Sequence, residues 1–462
     1  MLCERLIDAL GPEAVKSAPE DLYAYAFDAY TEGRLPAVVV LPADVREVSA
    51  VVKIAREFGE PIVPRGAGTG LCGGAVPVEG GVVISFARMN RILSYEPHRR
   101  RAWVQPGVVN LDLSKAVAAE RLFFAPDPSS QRTSTIGGNV ATNAGGPHCL
   151  SYGTMVNHVL GLEIVDDRGA VYRTSIDVPG YDLTAALVGS EGTLGIVSAA
   201  CVRLTRVPEA VRVWLATFAD VESASDAVSA VIAAGIVPAA LEMMDAVATR
   251  AVEAAFHAGY PTGAGAVLLI EHAGLEDDMN AYGSEISRIV HAHGATTWRS
   301  ARSRSERDAL WAGRKGAAGA MGRLAPNYYL QDICVRRSTL PKALHQIEAI
   351  AREYSLTVAN VFHAGDGNLH PLICYDRRNA REVAAVIESG NEILRMAVEL
   401  GGTVSGEHGI GYEKRDAMTA IYTTEDLATM ARVRDVLDPA RAFNPEKIFP
   451  SGTRCAEVTS AA

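Results

Sequence analysis

Closely spaced cysteines are missing from this 462-residue chain. Its seven cysteines are scattered, and no C-x-x-C pair occurs. That excludes an iron–sulfur cluster of the usual spacing and a disulfide framework, and it fits a reducing cytoplasm. Positive charge is also in short supply: 44 Lys and Arg stand against 54 Asp and Glu, a net charge of −10. With no basic tract and no cationic amphipathic stretch, nucleic acid and an anionic membrane surface are poor partners. No apolar run is long enough to cross a bilayer. The first residues, MLCERLIDALGPEAV, carry acids early and read as ordinary chain rather than as an export signal. Long repeats and low-complexity segments are absent as well. Histidine is scarce, eleven in all, so two that fall close together stand out.

Apolar residues make up 48% of the chain, enough for large buried cores. The length exceeds one compact domain, so two or three are expected. From about residue 37 to 206 the texture is mixed and rich in glycine turns. AVVVLP, PIVPRG, GGVVISF, RILSYEP and RAWVQPG read as short strands. Asp44 is placed to cap a helix over VREVSAVVKIAREFG that ends at Gly59. LDLSKAVAAERL is helical, and LGLEIVDDRGAVYRT reads as a hairpin turning at Asp167, Arg168 and Gly169. Near Pro208 the texture changes. VRVWLATF, AALEMMD and GAVLLIEHAG now alternate with helical DVESASDAVSAVIAAG, AVATRAVEAAFHAG and LEDDMNAYGSEISRIVHAHG. This pattern predicts an α+β domain with an antiparallel sheet and helices on one face. The expected divisions are 1–207, 208–440 and a C-terminal segment, 441–462, that returns to the first domain through the turn in RAFNPEKIFPSG.

Three glycine-rich segments fall in the first region. PRGAGTGLCGGAVP (64–77) holds Gly68, Gly70 and Gly73 in a G-x-G-x-x-G arrangement. A nicotinamide-binding fold would open a helix directly after such glycines and place an acid about twenty residues on. Here a strand-like stretch follows instead. Arg88 stands where the acid belongs, among Ala87, Met89 and Asn90. The loop can still expose consecutive N–H groups to an anion with no Cβ in the way. Arg65 either adds charge there or is solvated, and Cys72 is read as packing. IGGNVATNAGG (136–146) adds Asn139, Thr142 and Asn143 as hydrogen-bonding groups, and VGSEGTLGIV (188–197) is the third segment. Together they point to a long phosphate-bearing ligand threaded between loops.

VFHAGDGNLH (361–370) sets His363 and His370 on either side of a strong turn, Gly365 to Asn368. If Ala364 pairs with Leu369, the two histidines are directly opposed and can share one metal ion. A packed His–His pair with no ion is the alternative. GGTVSGEHGIGYEKR (401–415) offers further ligands in Glu407 and His408, whose flanking glycines allow a bent backbone. Two histidines and one carboxylate with open positions suit Zn²⁺, Mn²⁺ or Fe²⁺. In ERDALWAGRKGAAGAMGR, Arg314 and Lys315 lie on a predicted helix, and an arginine can grip a carboxylate through two parallel N–H donors.

PRGAGTGLCGG, PDPSSQRTSTIGGNVATNAGG and GSEGTLGIV resemble the FAD-binding domain of the vanillyl-alcohol oxidase superfamily. With HAGDGNLH and GEHG, nearly the whole chain is similar to its FAD-dependent 2-hydroxy-acid dehydrogenases: the glycolate oxidase flavoprotein subunit and the D-lactate and D-2-hydroxyglutarate dehydrogenases. The resemblance implies a vanillyl-alcohol oxidase type FAD-binding domain and a ferredoxin-like α+β cap domain. It implies FAD held by Pro64, Arg65, Gly66, Ala67, Gly68, Thr69, Gly70, Leu71, Gly74 and Ala75 in the first segment. Pro126, Asp127, Thr133, Ile136, Gly137, Gly138, Asn139, Ala141, Thr142, Asn143 and Gly145 follow in the second. Gly189, Glu191, Gly192, Gly195, Ile196 and Val197 come from the third, and Asn444 from the C-terminal segment. Some relatives tether the flavin through a histidine in the first loop. This loop has none, so the FAD is expected to be non-covalent.

The same resemblance makes His363, His370 and Glu407 the metal ligands and His408 the catalytic base. Asp366 and Asn368 order the turn or support the ligands. A W-x-x-R context selects Arg314 for the substrate carboxylate and leaves Lys315 as a surface charge, with Tyr328 and Tyr329 bordering the pocket. Some dicarboxylate-specific relatives use a lysine in this region. None occurs here, which favours D-lactate or glycolate over 2-hydroxyglutarate. The chemistry is consistent: the metal lowers the hydroxyl pKa, His408 accepts the proton, and flavin N5 accepts the hydride. The electron acceptor would be a partner subunit, an electron-transferring flavoprotein, a quinone or a cytochrome. A homodimer is compatible with the sequence, and the expected location is cytoplasmic, meeting a membrane only through a partner. Two other readings stand beside this one: a metallohydrolase using the same ligands, and a non-catalytic flavin-binding subunit of a larger oxidase.

Overall fold

Asp44 caps the helix Val45–Phe58 by accepting the amides of Arg46 and Glu47, and Gly59 ends it in the left-handed region at φ 69°. In this computed structural model, which describes residues 1–29 and 31–451, that helix joins two parallel neighbours of one small sheet. Val38–Val40 and Ile62–Arg65 both pair in parallel with Val82–Ser85, and Val15–Lys16 adds an antiparallel edge. A second, antiparallel sheet follows, in the order Ile92–Glu96, Arg101–Val104, Ile196–Arg203, Val159–Val165, Val171–Ser175. Val48, Val51, Val52 and Ile84 fill the core under the first sheet, and Val104, Leu162, Ile164 and Val202 that under the second.

The chain divides into two units. One holds 1–145, 153–207 and the segment from 407 onward; the other holds 146–152 and 208–406. The break at Val207 falls where the texture changes. The later break follows Gly406 rather than residue 440, because residues 410–413 hydrogen-bond to Glu191 and Cys72 of the first unit. The C-terminal segment continues there, with Phe443 bridged to Ile62. Residues 452–462 of the expected segment, Cys455 among them, lie outside the described residues. No helix among the described residues is long and apolar enough to cross a membrane.

The second unit is built on β1 (Ala210–Phe218), α1 (Val221–Ala233), β2 (Ala240–Asp245), α2 (Ala246–Phe256) and β3 (Ala266–Gly274). It continues through α3 (Met279–Ala292), β4 (Thr297–Ser300), α4 (Arg304–Lys315), β5 (Asn327–Leu330) and α5 (Leu340–Glu353). β6 (Thr357–His363), β7 (Asn368–Tyr375) and α6 (Ala380–Glu399) complete it. The sheet is antiparallel throughout, in the order β4-β1-β3-β2-β6-β7-β5, with Ile333–Cys334 also pairing β7. Its first four strands have the ferredoxin-like order.

The expectation of helices on one face is corrected. α2 and α4 cover the face carrying Val213, Leu215, Leu269 and Val361. α1 and α3 lie on the other, where Gly283 of α3 meets the Trp214 ring. Two-sided cover is why ALEMMD is buried at every position.

Candidate active site

The hairpin β6–β7 carries both histidines, in a register other than the expected one. His363 pairs with Asn368, and His370 pairs with Val361. The turn therefore holds four residues, Ala364 to Gly367. The carbonyl of His363 accepts the amides of Asp366 (3.3 Å) and Gly367 (3.1 Å), and Gly367 closes the turn at φ 79°. Ala364 is used in the turn and cannot pair with Leu369. The shift is two residues, so both side chains stay on one face. Their ring centroids are 5.1 Å apart with planes at 88°, close enough to share an ion.

That face is apolar for most of its length and becomes polar at this end. Glu242 on β2 lies directly opposite His363. Its carboxylate oxygens are 2.8 and 2.9 Å from His363 Nδ1 and 2.5 Å from Arg314 Nη2 of α4. All three residues are buried. Burial pushes the Glu242 carboxyl up, but Arg314 and His363 together outweigh it and hold the group below its ordinary value. With Nδ1–H donated to Glu242, Nε2 is the ring nitrogen that can accept or ligate. Arg314 Nε is buried with no partner among the described residues, as is the Asn368 side-chain oxygen. One turn before Arg314, Trp311 donates its indole N–H to Glu271 (2.6 Å), whose other oxygen lies 3.0 Å from His148 Nε2.

Asp332 is fully buried beside His370, 3.7 Å from its Nδ1. It accepts the hydroxyl of Ser405 (2.8 Å) and the amide of Gly406 (2.9 Å). Lys315 turns its ammonium over the Trp311 ring at 5.5 Å. The two tyrosines take opposite faces of β5. Tyr328 pairs with Cys374, on the face of His370 but four residues away, about 13 Å along the strand. It joins the apolar cluster of Leu372 and Cys374. Tyr329 points to the opposite face and packs on Gly390 of α6, where a Cβ would come 2.4 Å from its ring.

In the first unit the three glycine segments converge. A Cβ on Gly66 would meet Thr135 Oγ1 at 2.4 Å, and one on Gly192 would meet Pro64 Cγ at 2.4 Å. Gly189 and Glu191 donate their amides to Val140 and Ala141, at 2.8 and 2.7 Å. Pro126 is held by Asn110 Nδ2 at 3.0 Å. Arg65 is neither solvated nor extended: it is buried beneath its own loop, beside Gly68 and over the Tyr25 ring. Desolvation lowers its pKa from the ordinary arginine value. Ile136 and Ile196 are core residues, so only their main chain is available to a ligand. Asn444 clamps two segments, donating Nδ2 to the carbonyls of Gly74 (2.8 Å) and Glu191 (2.6 Å). Ser134 Oγ, Asn139 Nδ2 and Asn444 Oδ1 are buried here without a partner among the described residues. Orphaned donors and acceptors beside close-packed glycines fit a polar, phosphate-bearing cofactor.

Glu407 and His408 follow Gly406 directly in the sequence and open the last part of the first unit. The backbone here is irregular, with Gly409 at φ 91°, and His408 Nε2 lies 3.8 Å from Glu407 Oε1. Both side chains thus fall on one side, which a regular strand would forbid. The Glu191 carboxylate accepts the amides of Ile410 and Gly411, each at 2.7 Å.

Glu242, Glu271 and Asp332 escaped the reading of the sequence. Their signal was present: an acid inside an apolar strand or strand end, as in ALEMMD and VLLIEHAG, has to be paired when buried.

The first unit thus offers a glycine-lined cradle and the second a buried Arg–Glu–His cluster on an antiparallel sheet. The family description "FAD binding domain" matches residues 36–175, and "FAD linked oxidases, C-terminal domain" matches residues 207–448. The chain belongs to the FAD-linked oxidases, with FAD as cofactor. The glycolate oxidase subunit GlcD of Escherichia coli (strain K12) is 46% identical over 442 residues, 95% of this chain and 89% of that protein. The probable mitochondrial D-lactate dehydrogenase of Danio rerio is 33% identical over 428 residues, 90% of this chain and 85% of that protein. Among solved structures, p-cresol methylhydroxylase with substrate bound superposes with a TM-score of 0.80 at 16% identity, covering 97% of this chain and 96% of that one. This last likeness is one of fold alone.

Proposed function

We propose that this FAD-linked oxidase converts a short 2-hydroxy acid, D-lactate or glycolate, to its 2-oxo acid. The observation that carries the reading is the buried cluster in which Arg314 and His363 share Glu242, with His370 beside them. The named relatives support the choice of acid.

Arg314 binds the substrate carboxylate. Glu242 occupies its Nη2, and the unpartnered Nε offers a buried donor to an anion. His363, His370 and Glu407 would hold a divalent cation, zinc, manganese or iron, which supplies Lewis acidity to the substrate hydroxyl. Glu242 keeps His363 in the tautomer that ligates through Nε2. Gly406, which precedes Glu407 in the chain, donates its amide to Asp332. His408 takes the hydroxyl proton on an imidazole nitrogen. FAD, when bound, supplies the hydride acceptor. The electrons then leave to a partner subunit, an electron-transferring flavoprotein, a quinone or a cytochrome.

The test is an anaerobic visible spectrum of the purified protein before and after D-lactate, glycolate, L-lactate and D-2-hydroxyglutarate, each added alone. Rapid bleaching by D-lactate or glycolate is the expected result. Bleaching only by D-2-hydroxyglutarate would replace the substrate. A flavin that none of the four reduces would overturn the reading in favour of a non-catalytic subunit.

A further inference from the structure

Glu191 is a buried carboxylate on a strained backbone, at φ 51°. The proton transfer described above gives its side chain no role. The turn after His408 is wrapped around it. Ile410 and Gly411 donate their amides to its two oxygens, both at 2.7 Å. Gly409 adopts φ 91°, and a Cβ there would come 2.8 Å from Glu191 Oε1. The next residues rest on the first glycine segment: Tyr412 and Glu413 donate their amides to the Cys72 carbonyl, at 2.8 and 3.2 Å. Gly411 lies so close to that carbonyl that a Cβ would meet its oxygen at 2.0 Å. Residues 409–413 are therefore held by the first and third glycine segments, which also form the FAD cradle.

We propose that Glu191 is a positioning residue for His408, and that it couples order in the FAD-binding loops to placement of the base. The proposal rests on the role given to His408 above. A carboxylate can accept two amides at once, one on each oxygen; a carboxamide of the same shape can accept only on its single oxygen. Main-chain contacts tie Glu191 to the rest of the cradle, through Ala141 O and Asn444 Nδ2. Ordering the cradle around FAD therefore orders the acceptor that holds the 409–411 turn. The charged group facing Glu191 is Lys447, wholly buried, which donates to the Val76 carbonyl at 2.7 Å. Burial pushes Glu191 up to about 7, against the pull of the two amides and Lys447, and pushes Lys447 down to about 8. Each shift is led by desolvation and opposed by the other's charge.

The test compares FAD-loaded wild type with Glu191→Gln, using amide hydrogen exchange of peptides covering 405–414, flavin content, and steady-state kinetics with D-lactate and glycolate. The expected result is exchange at 409–412 at least about tenfold faster, with flavin content retained. In the same variant kcat falls at least about tenfold while KM changes less than about twofold. In wild type, removing FAD should loosen 409–412 as well; in Glu191→Gln, FAD should no longer tighten it. Unchanged exchange at 409–412 in Glu191→Gln, with flavin lost, would overturn the proposal and leave Glu191 a cofactor contact. If Glu191→Gln does not fold, Gly409→Ala pushes the turn off the carboxylate without altering it, and the same local loosening is expected. Unchanged exchange in that variant would count against the proposal equally. A wild type that no hydroxy acid reduces would sink the proposed function, while the exchange data would still decide whether Glu191 holds the turn.

Discussion

Glu242 and His363 face each other across β2 and β6, with the two carboxylate oxygens 2.8 and 2.9 Å from Nδ1. The same carboxylate balances Arg314. One buried acid thus engages the Nδ1 side of His363 and balances the charge of Arg314.

Glu242→Gln is expected to disturb both partners. It leaves Arg314 as a buried cation without a counter-charge, a loss of about 3–5 kcal/mol in comparable buried pairs. It also weakens the hold on His363, and second partners of this kind are worth about 10–100-fold in metal affinity. Urea unfolding and a zinc titration of the variant check the two effects. A wild-type midpoint with wild-type zinc affinity would show that Glu242 serves neither.

Metal removal tests the proposed cation site apart from the flavin. Dialysis against dipicolinate should leave the flavin spectrum intact and abolish bleaching by D-lactate or glycolate, with recovery on adding zinc or manganese. His408→Ala should keep flavin and metal and lose about 10²–10⁴-fold in kcat, the usual worth of a positioned base. Full bleaching by the metal-free protein would remove the metal from the mechanism.

The cradle is tested at Gly66, where a Cβ would sit 2.4 Å from Thr135 Oγ1. That hydroxyl accepts the Gly138 amide and caps the helix Ile136–Thr142. Gly66→Ala forces the cap aside, at a cost of about 1 kcal/mol, and shifts the approach of two glycine segments. The expected outcome is purified protein with a lower ratio of flavin to protein absorbance and a modest fall in Tm. Gly263→Ala, with nothing within 4 Å, is the control.

The parts that could be read from the sequence were those whose signal is local. The Asp44 cap and the glycine segments depend on neighbouring residues, and the face shared by His363 and His370 depends only on a period of two. The register of their hairpin was missed by two residues because Ala364 and Leu369 suit a strand or a turn equally well. Only the hydrogen bonds to the His363 carbonyl decide it. Tyr329 and Glu242 were illegible for a different reason. Which face a strand residue takes depends on strands distant in sequence, and Glu242 meets His363 across 121 residues. The two-sided helix cover was encoded in near-continuous apolar runs, but a buried strand and an alternating one share the same residue types.

Asp245 gives the chain a pH signature independent of catalysis. It caps α2 by accepting the Ala248 amide at 2.7 Å, and it accepts the main-chain and side-chain N–H of Asn360 at 2.7 and 3.0 Å. Burial outweighs these donors and raises its pKa from 3.8 to about 6. The folded protein therefore binds this proton more tightly than the unfolded chain does. Its contribution to stability is fully present below about pH 4 and is lost as pH rises through about 6. Two pKa units correspond to about 3 kcal/mol, with little further change above that window. Asp245→Asn removes the titration while retaining one acceptor, and gives up about 1 kcal/mol for the Asn360 contact it cannot keep. Urea midpoints of both proteins from pH 4 to 7 should start with the variant less stable and converge or cross as pH rises. Groups common to the two proteins cancel in that difference. Parallel curves would show that Asp245 stays charged across the range, held by its three donors despite its burial.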